Sequence, residues 1–332
     1  MKEKNRKATL AINSDKRHLW KEDVARSVDC FNDWFIKFAP EAYVSTRIQT
    51  TKDVESALEL TANLTKVNNG ILKKHPDVLP MLRMATAPPI ARDRLIGLAG
   101  VSTNLVFSME DKKRIPPRIS EATLNEELQS IGKIIMRLAD KDIFPWLGEK
   151  RDPKEIEVHR AATIVADRLC GAIANPIIRN AQEKRQLASI KKWLEARGYS
   201  YIKNGTGLKA KDMKPGTFAF HLNVAVAVTT PEGVERPVNI PIDVAVKPLK
   251  SKPDELPLLI EAKSAGDFTN VNKRRKEEAT KVNQLKKTYG KDVRFILFLC
   301  GYFDTGYLGY EAAEGIDWAW EHRIDDLSKF GV

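Results

Sequence analysis

The sequence predicts an α+β protein, mostly helical as far as about Gly198 and built of strands around one further long helix after that. Two observations predict it. In the first part apolar residues recur three or four apart, as at Leu124, Leu128, Ile131, Ile135 and Leu138, which lines them along one face of a helix. From Thr217 onward they gather instead into short β-branched runs bounded by Pro, Gly and charged residues, the pattern of strands.

A helix rich in aromatics (Phe31, Trp34, Phe35, Phe38) is predicted first, over about 16–38, and another over about 51–67, with the aromatics read as core. Pro88-Pro89 and Pro116-Pro117 break the chain between there and the Leu124 stripe. Thr123 with Glu126 reads as a capping box opening the helix of that stripe, which Pro145 stops. Asn175, Pro176 and Gly198 supply the N-cap, first-turn proline and closing glycine of a helix of its own. Strands then fall over 218–228, 238–246 and 256–263, a basic helix over about 270–289, and a strand over 293–302. Residues 301–310, rich in Gly and Tyr, read as a loop, and Trp318, Trp320 and His322 as part of a last helix. The division between regions is placed between Gly148 and Asn175, giving a helical region 1–160 and a core 161–332 ordered helix, three-stranded meander, helix, strand.

Bulk composition narrows the function classes. At 332 residues, 42% hydrophobic and 30% charged, the chain can bury a real core, and its formal net charge of +11 favours a polyanionic partner, nucleic acid first. Cys30, Cys170 and Cys300 are too few and too scattered for a disulfide framework or a structural zinc. Residues 1–20 lack an apolar run, and the longest such run, 295–303, falls short of the ~20 residues of a membrane helix. A cytoplasmic protein without a membrane partner is expected.

The chemistry concentrates on two apolar runs. One carries Asp243, the other Glu261 and Lys263. Side chains alternate faces along a strand, so Glu261 and Lys263 point the same way, and pairing of the two runs as neighbouring strands brings Asp243 beside Glu261. Two carboxylates suit a hard divalent cation, and an ammonium beside them suits phosphate chemistry. A carboxylate among apolar neighbours is costly unless a cation or water answers it. The plainer reading is a salt-bridged strand pair; chemistry is favoured by the next helix, loaded with Lys273, Arg274, Arg275 and Lys276 and opening near Asn270 and Asn272. Those six residues are the candidate contacts to a DNA backbone. Glu183, on the helix before the sheet, is a candidate auxiliary acid, with a surface ion pair to Lys184 or Arg185 the simpler expectation.

The order of elements, with Asp243 on one strand and Glu261-Ala262-Lys263 on the next, resembles the PD-(D/E)xK nuclease superfamily, with Pro241 two residues before Asp243 rather than next to it. The stretch 261–279, together with Ala87-Pro88-Pro89-Ile90 and Phe144-Pro145-Trp146, is similar to the XamI family of restriction endonucleases. The resemblance implies a restriction-endonuclease-like core and a type II enzyme that cuts double-stranded DNA at a specific site. It further implies Mg²⁺ held by Asp243, Glu261 and the Ala262 carbonyl, with Lys263 acting on the reacting water or phosphate. A homodimer is expected, since two symmetry-related sites cut a twofold-symmetric duplex most simply. So is a functional pairing with a cognate DNA methyltransferase. The alternatives are a DNA-repair or junction-resolving nuclease on the same core, and a DNA-binding protein that cuts nothing.

Overall fold

The computed structural model describes residues 11–203, 208–229, 233–252, 255–269 and 271–332, with the side chains of 272–275 outside the description. The chain divides into two compact units. One spans Phe38–Ile178; the other joins the described residues up to Lys37 to Arg179–Val332. A division at 160/161 would fall inside a helix, and the N-terminal segment belongs with the sheet.

Two long helices run through positions where the sequence predicts separate helices. Helix α1 spans Arg17–Leu60 with Pro40 inside it, so the two helices expected over 16–38 and 51–67 are one. An internal proline costs about 3 kcal/mol through its lost N–H and ring clash. Burial on either side offsets that: Phe31 before it, and Val54, Ala57 and Leu58 after it, are 4% exposed or less. Helices α2 (Asn69–Lys74), α3 (Leu79–Met84), α4 (Arg92–Ala99) and α5 (Thr103–Lys112) are short. Helix α6 (Glu121–Leu138) buries Leu124, Leu128, Ile131 and Ile135 as its spacing predicts, but its cap is Ser120, whose side chain accepts the Thr123 N–H, rather than Thr123. Helix α7 (Pro145–Glu149) is a single turn. Helix α8 (Glu155–Glu195) absorbs the helix expected to open at Asn175 and carries Pro176 internally. By length and composition α8 is, among the described residues, the one helix that could cross a membrane; Ala161, Val165 and Leu169 of it are buried in the core of the helical unit.

The other unit is a six-stranded mixed sheet in the order of the sequence: β1 (Ser200–Tyr201), β2 (Thr217–Thr229), β3 (Glu235–Lys247), β4 (Leu258–Ala265), β5 (Phe295–Gly301) and β6 (Asp317–Trp320). Strands β2, β3 and β4 form an antiparallel meander, and β5 and β6 continue parallel to β4. The parallel step from β4 to β5 needs a crossover, which is α9 (Val271–Tyr289). Helix α10 (Thr305–Ala313) replaces the loop expected over 301–310, because Asp304 caps it by accepting the Tyr307 N–H. Trp318 and Trp320 are on β6 rather than on a last helix, followed by 3₁₀ turns over Glu321–Phe330.

Each face of the sheet has its own core. Leu187, Ile190 and Leu194 of α8 cover Val244, Val246, Ile260 and Phe298. Val282 and Leu285 of α9, with Tyr307 and Leu308 of α10, cover Ala245, Leu259, Leu297 and Leu299. The start of α1 seals that second face: Trp20 meets Trp318 with ring centroids 5.6 Å apart, and Arg323 grips Asp23 at 2.6 Å and 3.1 Å.

Candidate active site

Strands β3 and β4 pair at Val244 with Ile260, Ala245 with Leu259 and Val246 with Leu258, and among the described residues the ladder ends there. One residue further, Asp243 and Glu261 would face each other. Instead the strands fork, and the Asp243 carboxylate accepts the Ala262 N–H at 2.8 Å, the role a β3 carbonyl would have had. The fork has a cause in β2 and β3. Ile240 and Ile242 belong to the α9-side core but Val244 and Val246 to the α8-side core, so the alternation of β3 slips by one at Asp243. Strand β2 slips beside it, where His221, flanked by Phe220 paired with Val244 and Leu222 paired with Ile242, takes a left-handed φ of 52°.

Glu261 and Lys263 both face α9, as alternation requires. The Lys263 ammonium lies 3.0 Å from Glu261 Oε1 and 3.0 Å from Glu278 Oε1. Lys281 Nζ reaches the same Glu261 Oε1 at 2.9 Å and donates to the Pro241 carbonyl at 3.2 Å. Glu261 is 6% exposed and Glu278 1% exposed, so the four charges form a mostly buried network. Glu261 Oε2, buried as well, has no hydrogen-bond partner among the described residues. Burial works against the charge of Lys263, but Glu261 and Glu278 outweigh it and raise its pKa above the ordinary lysine value. Burial and the charge of Glu261 push the Asp243 pKa up to about 6, against the pull of the Ala262 N–H and of Lys263.

Behind Asp243 stand Glu183 of α8 and His221. One donor atom from each of the three lies within 4.8 Å of the others, a group that could hold a metal ion. Glu183 therefore faces His221, 3.9 Å away, rather than pairing with a neighbouring cation; Arg185 is engaged with Glu321 at 2.9 Å. Gln186 donates to the Lys263 and Phe298 carbonyls at 3.3 Å each, fixing the end of β4 against α8.

Lys263 thus meets Glu261 and Asp243 holds the amide between them, and three further groups join these residues. Glu278 and Lys281 were hidden in a helix read as a cation-rich clamp, although Val271, Val282 and Leu285 at helical spacing mark the sheet-facing stripe on which both lie. His221 carries no sequence signal of its own. Of the expected DNA contacts, Asn270 and the side chains of Asn272, Lys273, Arg274 and Arg275 lie outside the described residues. Lys276 is exposed and lines an open groove with Lys281, Asn239 and Gln284.

Comparison with known proteins identifies the family of the chain. The XamI restriction endonuclease family matches residues 62–320. A relative from Streptomyces albus G, the type II restriction enzyme SalI, is 53% identical over 323 residues, covering 97% of this chain and 100% of the relative. No solved structure matches the chain significantly.

Proposed function

Because the chain belongs to the XamI restriction endonuclease family, we propose that the cluster at the β3–β4 fork is the catalytic centre of a type II restriction endonuclease. The chain hydrolyses phosphodiester bonds of double-stranded DNA within a specific sequence. Kinship with a restriction enzyme over nearly the whole chain favours this reading over a junction-resolving nuclease or a non-cutting DNA-binding protein. The meander, its α9 crossover and the position of Asp243, Glu261 and Lys263 support a PD-(D/E)xK core.

The observation that carries the site is the unbonded Glu261 Oε2 beside the Asp243 carboxylate. A buried carboxylate oxygen without a donor is costly, and a divalent cation removes the cost. Oxygen donors suit Mg²⁺. Asp243 and Glu261 would hold it, with the Ala262 carbonyl, which leaves the strand on the same edge as the Ala262 N–H; Glu183, grouped with Asp243 and His221, offers a further oxygen on the Asp243 side. When bound, the cation lowers the pKa of a coordinated water and offsets charge on the scissile phosphate.

The chain's own groups do the rest. Lys263, held between Glu261 and Glu278, keeps its proton and presents an ammonium to the attacking oxygen and the developing phosphorane charge. Asp243 must be ionised to serve as a ligand, and the Ala262 N–H fixes which of its oxygens stays available. The formal charge of +11 draws the polyanionic duplex in. A homodimer would present two such sites to the two strands of a symmetric sequence. A methyltransferase of the same specificity would shield the host's own sites.

The test is digestion of a long phage DNA with Mg²⁺ or with chelator, read on a gel. Discrete bands that need the cation are expected. A smear, or intact DNA, would refute specific cleavage.

A further inference from the structure

We infer that Lys281 and Glu278 of α9 are positioning residues for this centre, an inference that rests on the proposed cation site. Glu278 lies on the apolar stripe of α9 between Val271 and Val282, where an ionised carboxylate would be costly without a partner. Its partner is Lys263, 3.0 Å away. Lys263 is therefore held from the helix as well as from its own strand, and its long side chain loses the freedom that would blur its aim.

Lys281 acts on the other member of the motif. Its ammonium touches Glu261 Oε1 on β4 and the Pro241 carbonyl on β3, so one side chain spans the fork between the two strands. Both lysines converge on Oε1, leaving Oε2 as the oxygen turned to the cation. With all four groups ionised, Glu261, Glu278, Lys263 and Lys281 are neutral together. The charge that answers a divalent cation then comes from Asp243 and Glu183, and the network sets direction rather than charge. Ligating carboxylates are commonly fixed by such outer partners, whose loss costs roughly tenfold to a hundredfold in metal affinity or activity.

The experiment measures Mn²⁺ binding to the full chain without DNA, by electron paramagnetic resonance of unbound Mn²⁺, alongside single-turnover cleavage. Lys281→Met should weaken Mn²⁺ binding about tenfold or more, and Lys281→Arg should restore part of it. Glu278→Gln should leave Mn²⁺ affinity within about threefold of the native value but slow cleavage about tenfold or more, because it acts through Lys263. Circular dichroism checks each fold; if Lys281→Met fails to fold, Lys281→Arg and Glu278→Gln carry the test. Native Mn²⁺ affinity in Lys281→Met, or for the arginine variant tighter binding than native, would overturn the role of Lys281. Native cleavage in Glu278→Gln would overturn that of Glu278. A Glu261→Gln control separates the two levels: if it binds Mn²⁺ as the native chain does, the cation site itself is wrong.

Discussion

The Asp243 carboxylate holds the Ala262 amide at 2.8 Å across a ladder that has just stopped pairing. One side chain thus closes the strand edge and stands beside Glu261. Burial and the charge of Glu261 raise its pKa to about 6, against the pull of the Ala262 amide.

Replacing Glu261 with Gln, or Lys263 with Met, should reduce cleavage by at least about a hundredfold, since the first removes a ligand oxygen of the proposed cation and the second the ammonium at the reacting phosphate. Gel-shift assays should show DNA binding within a few-fold of the native chain. Substantial cleavage by either variant would remove that residue from the mechanism.

Activity should fall as pH drops through about 6, because Asp243 then takes up a proton and ceases to be a ligand. Stability moves the other way for this group. Its folded pKa lies above its unfolded one, so in chelator it destabilises the fold above about pH 6, and the penalty fades as pH falls toward about 4. Asp243→Asn should therefore melt higher than the native chain at pH 7.5, with the gap reduced to about half at pH 5. An equal gap at both pH values would contradict the raised pKa.

In the helical unit Arg83 forks onto Glu110 at 2.6 Å and 2.9 Å, with Arg92 3.0 Å from the same carboxylate, and the Glu110 side chain is only 4% exposed. Glu110→Leu strands Arg83 in a buried place and should cost about 3–5 kcal/mol, read as a lower urea midpoint at constant slope. Replacing Arg83 as well with Met should recover much of that loss. An unchanged midpoint in the single variant would mean the pair contributes little.

A fragment comprising 161–332 should fail to fold. It lacks Trp20, which packs on Trp318, Asp23, which binds Arg323, and Ser27, whose hydroxyl accepts the Gly301 N–H at 2.8 Å. Circular dichroism and a cooperative melt would decide; a native-like melt would restore the simpler division of the chain.

Much was legible from local pattern. The strands, the crossover helix and the parity of Glu261 and Lys263 come from periods of two and 3.6, which neighbouring residues set among themselves. Proline chemistry is local and packing is not: Pro176 suits the first turn of a separate helix and Pro40 is unfavourable inside one, yet α8 and α1 continue through them because packing on both sides outweighs a cost of about 3 kcal/mol. Trp318 and Trp320 looked helical because nothing local shows that β5 offers them a parallel partner.

By itself the sequence determined the chemistry available: an acid on one strand, an acid and a lysine two apart on the next, and a cation-rich helix after them. The tertiary structure alone decided how these meet. The slip at His221 and Asp243 exists only because β2 and β3 pair, and Glu183, Glu278 and Lys281 reach the fork only because α8 and α9 cover opposite faces of one sheet. Distances between residues far apart in the chain are fixed by burial of the whole core, which no local pattern encodes.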